Sequence, residues 1–448
     1  MLKIYNTADK KLEEFKPLGE IVKIYTCGPT VYDFQHIGNY AAYIYWDLLV
    51  RTLKADGYKV RRVLNFTDVG HLVSDADEGE DKFEKTSRRE GKSVDEIAKF
   101  YGDDFMRNFR ALQLVEPDVV ARATDYIEDD KRAVDTMTAG GFTYETADGV
   151  YYDTSKFPGY AEFAKLDLDG LKAGARVGFS DEKRNVSDFA VWKFIQPGEK
   201  HAMRWDYLGR PGYPGWHLEC SVIIDKELGS PIDIHTGGID HIPIHHTNEI
   251  AQTYAMTGRE LSKYWMHCDF ITIEGEKISK SLGNVYSLSD LAERGFSPMD
   301  FKMWVLAGHY QGTRNFTFDS LEAAKQRRLN WRNRIALCYQ REIANNNEAM
   351  MKIVDAVNNN LGSPEAFAII DTSELMMEDW EKVDELFGLN LIADTPDVSE
   401  DVKRMIFERQ VARDNKDFAR SDEIRDELKR RGVTVEDTPS GPIWQYLI

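Results

Sequence analysis

The chain has 448 residues, 42% of them hydrophobic, and its 57 basic and 76 acidic side chains leave a net charge of −19. That length allows two or three domains with full cores. The acidity argues against a chain-wide nucleic-acid coat, and no apolar run reaches the length of a membrane span. Met1 to Tyr5 lacks the basic and apolar blocks of a secretory signal, and cysteines at 27, 220, 268 and 338 are too scattered for a disulfide scaffold. A reducing cytoplasm is the expected location.

After a short hairpin-like lead, Ile21 to Tyr25 reads as a buried parallel strand that ends in Thr26-Cys27-Gly28-Pro29-Thr30. His36-Ile37-Gly38-Asn39 then precedes a helix of 3.6-residue period from about Tyr40 to Lys54, and a second strand runs from Val60 to Phe66. Strand, loop, helix and strand make half of a Rossmann-type sheet. Helical patterns cover Ser93 to Gln113 and Thr124 to Ala139. Short strands and turns from 141 to 205 read as an insertion between two halves of the sheet. The second half resumes around Gly212 to Cys220, passes through a helix to Leu228, and reaches the strand Ile232 to Ile234. Tyr264 to His267 is a further strand, and a turn at Glu274-Gly275-Glu276 leads into Lys277-Ile278-Ser279-Lys280-Ser281. From Leu321 onward the pattern is helical almost throughout, as in a separate bundle. The expected fold is therefore α/β: a Rossmann-type parallel-sheet catalytic domain split by an insertion, followed by an α-helical C-terminal domain. Its expected divisions are 1–140, 141–205, 206–260, 261–319 and 320–448.

Three stretches carry chemistry. His36-Ile37-Gly38-Asn39 sits where a strand hands over to a helix, so free N–H groups and the helix dipole can hold phosphate, with His36 as an added donor. Lys277 to Ser281 places two lysines and two hydroxyls on a glycine-flanked loop that can clamp a triphosphate as charge develops. Gly237 to Glu249 follows a strand at the edge where open α/β sheets bind ligands. There His245 and Glu249 lie four residues apart on one helical face, a spacing that suits two metal ligands and equally suits ordinary cap and surface polars. Local basic runs, six basic against two acidic residues from 320 to 342 and ten against seven from 403 to 431, fit a phosphate-backbone grip or solvated helix faces.

Together the first two stretches resemble the HIGH and KMSKS signatures of class I aminoacyl-tRNA synthetases, with Asn39 in place of the second histidine and Ile278 in place of methionine. A modest effect on adenylate formation is the expected consequence. Within that class the chain resembles the cysteinyl-tRNA synthetase family nearly end to end. Tyr25 to Tyr32, Asn65-Phe66-Thr67-Asp68, Arg210 to Ser221 and His245 to Gln252 carry the likeness. The family's His-His-Glu-Asn-Glu stands here as His-His-Thr-Asn-Glu, with the change at Thr247. Gly238-Ile239-Asp240-His241 replaces Gly-Ser-Asp-Leu and keeps the aspartate.

The resemblance implies one Zn2+ per chain on Cys27, Cys220, His245 and Glu249. It implies a cysteine pocket of Gly28, Thr67, Trp216 and His235, and adenosine contacts from Gly238 and Asp240. Phosphate contacts would come from His36, Gly38, Asn39 and Lys280, with His36, Asn39, Lys277 and Lys280 carrying catalysis. ATP with Mg2+, L-cysteine and tRNA(Cys) would be the partners, with no membrane and a monomeric chain. The C-terminal end resembles the family's anticodon-binding domain, where Asp437 and Trp444 would meet unstacked bases. Two thiolates, an imidazole and a carboxylate complete a tetrahedral zinc shell, and a soft thiolate substrate binds such a centre where a serine hydroxyl does not. The implied reaction is ATP-dependent formation of cysteinyl-adenylate and transfer of cysteine to the tRNA 3′ end. The alternatives are a ligase joining cysteine to an amino sugar through the same adenylate, and a non-catalytic RNA-binding paralogue.

Overall fold

The computed structural model describes residues 1–70, 82–166, 182–199, 201, 203–279, 282–439 and 441–447. Its centre is a five-stranded, all-parallel sheet in the order Ser262–Cys268, Ile232–Gly238, Ile21–Thr26, Lys59–Phe66, Val119–Arg122. Val22, Ile24 and Tyr25 are buried, as are Ile232 and Ile234, so the two central strands are covered on both faces. From Ile21–Thr26 the chain crosses to Lys59–Phe66 on one side, while Ile232–Gly238 connects to Ser262–Cys268 on the other. The strand order therefore reverses between these two central strands, and a crevice opens at their C-terminal ends. Thr26 pairs with Thr236 across that junction, and the Cys27 N–H donates to the Thr236 carbonyl at 3.3 Å.

The helix Ile37–Ala55 is buried around most of its circumference, with Ile37, Tyr40, Ile44 and Leu48 among the residues it packs into the main core. A second, antiparallel sheet runs in the order Thr143–Glu145, Gly149–Tyr152, Phe189–Phe194, Arg210–Pro214, Trp205–Tyr207. This sheet is the insertion, and it reaches Pro214 rather than closing at 205. Gly212 pairs with Phe194 and Pro214 with Trp192, so the stretch read as the resumed half-sheet is instead the last insertion strand. A Cβ on Gly215 would stand 2.0 Å from the Ala190 carbonyl oxygen, which explains the glycine at the exit. The catalytic half then resumes with the helix Trp216–Glu227 and extends through Cys268, beyond the expected end at 260.

The region beyond 320 also divides differently. Trp331, Phe367, Trp380 and Leu391 belong to the same continuous core as Tyr40, Trp46 and Leu49. Only the last part, with Val398, Val402, Ile406, Ile424, Leu428, Val433, Val435 and Trp444, forms its own small core around Ala336. It also ends in a two-stranded hairpin, Val433–Thr438 with Gly441–Tyr446. Among the described residues no helix is long and apolar enough to cross a membrane.

A buried ion cluster joins these parts. The Lys302 ammonium donates to Asp47 at 2.8 Å and to the Leu112 carbonyl at 3.1 Å. Arg51 donates to Asp47 at 2.7 Å, to the Gln113 carbonyl at 2.6 Å and to the Glu385 carbonyl at 2.8 Å. Burial disfavours charge on Asp47, but Lys302 and Arg51 outweigh it and hold the carboxyl below its ordinary value. Burial lowers the Lys302 pKa to about 8, with Asp47 opposing the fall. Lys302→Ala removes one partner of a fully buried pair and is expected to cost about 3–5 kcal/mol, read from the urea midpoint at constant slope.

Candidate functional site

At the crevice, Cys27 leaves the end of Ile21–Thr26 and Cys220 faces it from the helix Trp216–Glu227. His245 lies in a wide turn, Ile242–His246, that runs directly into the helix Thr247–Thr257 bearing Glu249. The ligand atoms of Cys27, Cys220, His245 and Glu249 all lie within 4.8 Å of one another. His245 Nε2 is 2.8 Å from Glu249 Oε1, a contact between two buried groups that favours charge on both. Two thiols, an imidazole and a carboxylate converging this closely are the ligand types of a tetrahedral metal site. The donor set therefore fits a metal ion.

The electrostatics agree. Burial pushes the Cys27 thiol up, and the hydrogen bond with Cys27, with burial, pushes Cys220 up further. Burial opposes charge on His245, but Glu249 and Cys220 outweigh it and raise its pKa. Burial also opposes charge on Glu249, and His235 and His245 overcome it and hold the carboxyl low. A cation taken up here must displace protons, so its binding is pH-dependent.

A second grouping of Cys27, His235, His246 and Glu249 has equally close ligand atoms. Its imidazoles already contact Glu249 and Cys27 within the grouping, and His246 is also tied outside it to His267. His235 Nε2 bonds Glu249 Oε2 at 2.6 Å. His246 sits 3.5 Å from Cys27 Sγ through Nε2 and 2.7 Å from His267 Nε2 through Nδ1, and His267 continues to Thr7 Oγ1 at 2.8 Å. Burial lowers the pKa of both His246 and His267, which keeps them neutral. These rings are supports that orient the candidate ligands. His217 plays the same part for His245, with their Nδ1 atoms 2.9 Å apart. Sequence reasoning missed His217 and His267. The three-residue step from His217 to Cys220 on one helix was the available signal for the first.

Of the expected cysteine pocket, Trp216 is half-buried with its ring 5.1 Å from His245. Gly28 donates its N–H to Asn65 Oδ1 at 2.7 Å, and a Cβ there would stand 1.6 Å from the Asn65 carbonyl oxygen. Thr67 takes a hydrogen bond from Asn65 at 3.2 Å and donates to Glu219 at 3.2 Å. His235 is a correction: it is 0% exposed, stacked 4.6 Å from Trp265 and bonded to Glu249. It lies beneath the crevice, because its strand position points into the buried layer, and supports a ligand rather than lining a pocket.

On the nucleotide side, His36 and Asn39 form a reciprocal cap at the start of Ile37–Ala55. His36 Nδ1 accepts from the Asn39 N–H at 3.3 Å, and Asn39 Oδ1 accepts from the His36 N–H at 3.2 Å. The Ile37 N–H donates to the Tyr286 carbonyl at 2.8 Å. The helix N-terminus is thus largely engaged within the protein, contrary to the expectation of free N–H groups. What remains outward is the side-chain chemistry. With Nδ1 accepting, a neutral His36 carries its proton on Nε2, and Asn39 keeps its amide N–H2. A Cβ on Gly38 would stand 2.7 Å from Ile278 Cδ1, so the two phosphate motifs touch at this glycine. Lys277 is exposed at the end of Glu276–Lys277, and Lys280 lies outside the described residues. Asp240 is exposed, and its carboxylate lies where a Cβ on Gly238 would come within 2.3 Å.

At the C-terminal end, Asp437 is held by Arg409 at 2.6 and 3.0 Å and by Arg413 at 3.1 Å. Trp444 is a second correction. It is 4% exposed, packed in the small C-terminal core, with its backbone bonded to Gln340. Alternation along the hairpin turns its indole inward, so it offers no face to a base.

The all-parallel sheet is that of a class I aminoacyl-tRNA synthetase. Residues 14–326 match the family model for the tRNA synthetases class I (C) catalytic domain, and residues 395–444 match the cysteinyl-tRNA ligase anticodon binding domain. The chain belongs to the cysteine–tRNA ligase family. It is 38% identical to the cysteine–tRNA ligase of Treponema denticola, with 100% of each chain covered. It is 42% identical to cysteine–tRNA ligase 1 of Burkholderia lata, over 98% of this chain and 96% of that one. In fold it is similar to Mycobacterium tuberculosis methionyl-tRNA synthetase bound by methionyl-adenylate (TM-score 0.59, 15% identity, 84% of this chain and 89% of that chain).

Removing the His235 support for Glu249 with His235→Ala is expected to weaken metal binding roughly 10- to 100-fold, measured by competition with a chromophoric chelator.

Proposed function

We propose that this chain activates L-cysteine with ATP to cysteinyl-adenylate and transfers the cysteinyl group to the 3′ end of tRNA(Cys), acting as a monomer in the cytoplasm. The observation that carries the reading is the convergence of Cys27, Cys220, His245 and Glu249 within 4.8 Å at the parallel sheet, together with the close approach of Ile278 to Gly38 that joins the two candidate phosphate motifs. Two sulfurs in the donor set suit Zn2+, which when bound supplies a soft centre that accepts a substrate thiolate and refuses a serine hydroxyl. His235, His217 and the His246–His267 pair hold the candidate ligands in place.

Cysteine lies against Trp216 with its thiol toward the cluster, beside the Gly28–Asn65–Thr67 wall. ATP enters with Mg2+, its ribose hydroxyls donating to Asp240 and its phosphates meeting His36 Nε2–H, the Asn39 amide and the Lys277 and Lys280 ammoniums. The cysteine carboxylate oxygen attacks the α-phosphorus in line, forming the acyl phosphate bond and expelling pyrophosphate. The terminal tRNA hydroxyl then attacks the carbonyl carbon, and AMP departs with the electron pair. No side-chain nucleophile is needed; positioning and charge stabilisation carry the catalysis. The unit built from residues 398–446 receives the anticodon, with Asp437 oriented by Arg409 and Arg413.

Cysteine-dependent ATP–pyrophosphate exchange and charging of tRNA(Cys) test the reading. Adenylation without tRNA charging, but with transfer to a glucosaminyl acceptor, would instead make the chain a cysteine–amino sugar ligase. Purified protein should carry about one zinc per chain. Cys220→Ser is expected to lose the metal and, with it, discrimination of cysteine against serine; a variant that keeps its zinc would remove Cys220 from the ligand set.

A further inference from the structure

One side chain ties the described residues on either side of Lys280 and Ser281 together. Asn284 Oδ1 accepts the Ser279 N–H at 2.8 Å, and Asn284 Nδ2 donates to the Lys277 carbonyl at 3.1 Å. The backbone donor and acceptor fix which end of the carboxamide points where. Asparagine suits the position because a carboxamide offers both groups on one planar unit, whereas aspartate lacks the donor and alanine lacks both. The Leu282 N–H returns to the Ser279 carbonyl at 3.1 Å, and Gly283, at φ +65°, turns the chain so that Asn284 can reach back.

This clasp has a consequence across the crevice. With Lys277 and Ser279 held at their backbones, the side chain between them, Ile278, is seated against Gly38. Two residues beyond the clasp, the Tyr286 carbonyl takes the Ile37 N–H at 2.8 Å. Tyr286 is itself anchored by its ring, 5.3 Å from Phe318 in an edge contact. The segment from Asn284 to Tyr286 is thus tied at one end to the lysine loop and at the other to the first turn of Ile37–Ala55. Asn284 is only partly buried, so its two bonds contribute little to global stability. Their effect falls on the relative position of the two motifs.

We propose that Asn284 is a positioning residue for adenylate formation: its carboxamide closes the lysine loop so that Ile278 seats on Gly38 and Lys277 is held in register with His36. The inference rests on the adenylation reading above. The wild-type protein's cysteine-dependent pyrophosphate exchange tests that reading by itself, and the variants test the role of Asn284 relative to it.

The experiment compares Asn284→Ala, Ile278→Ala and the double variant in the zinc-loaded full chain. Each is characterised by steady-state pyrophosphate exchange, metal content and melting temperature. Asn284→Ala is expected to lower kcat roughly 10- to 100-fold through misplacement of the loop, with KM for cysteine, zinc content and melting temperature unchanged. Because Asn284 acts through Ile278, the double variant should be no worse than the more impaired single one. Wild-type exchange kinetics in Asn284→Ala would overturn the proposal. So would losses that multiply in the double variant, or a lowered melting temperature in Asn284→Ala, which would make Asn284 a general stabilising residue.

Discussion

Everything at the site depends on the parallel pairing of Ile21–Thr26 with Ile232–Gly238. These strands come from opposite halves of the catalytic domain, and the register that sets Thr26 beside Thr236 brings Cys27 alongside Gly237. A slip of one residue would turn each side chain to the other face. Gly237 has little room as well, since a Cβ there would stand 2.6 Å from the His246 ring and 2.8 Å from His241. Glycine at 237 is therefore favoured by packing.

Beneath that junction lies a layer of buried polar side chains that few cores would tolerate. Glu249, His235, His246 and Thr236 are fully buried, and His245 and His267 nearly so. Such a layer is stable only as a connected network, because each unpaired member costs its desolvation. Most groups are paired with one another, down to Thr7 near the start of the chain. Glu249 Oε1, 2.8 Å from His245 Nε2, stands with that imidazole beside two thiols, which is the place a cation would complete.

The nucleotide side solves a different problem. Ile37–Ala55 has no acidic residue in its first turn, so its N-terminus stays positive, yet His36 and Asn39 cap it with their own side chains. Asn39 suits this cap because its carboxamide oxygen accepts from the His36 N–H while its N–H2 is not used in that bond. At the far end of the same helix, Asp47 and Arg51 join Lys302 and the Glu385 carbonyl. One helix therefore carries the phosphate motif and the buried ion cluster against which the later helices pack.

Local features were legible in the sequence because they are set by neighbours a few residues apart. The strand–helix junction at His36, the helical period of Ile37–Ala55 and the four-residue step from His245 to Glu249 all belong to that scale. The grouping of Cys27 with Cys220 came only through family resemblance, since no periodicity links positions so far apart. Tertiary structure alone decided the rest. It turned His235 under Glu249 and buried Trp444, both polar-capable rings whose orientation follows from strand alternation against a particular core. It carried the insertion to Pro214, because Gly212 to Pro214 find their partners in Trp192 to Phe194. It also merged the helices up to Leu391 with the catalytic core, since helical periodicity shows that a face is apolar but not which surface covers it.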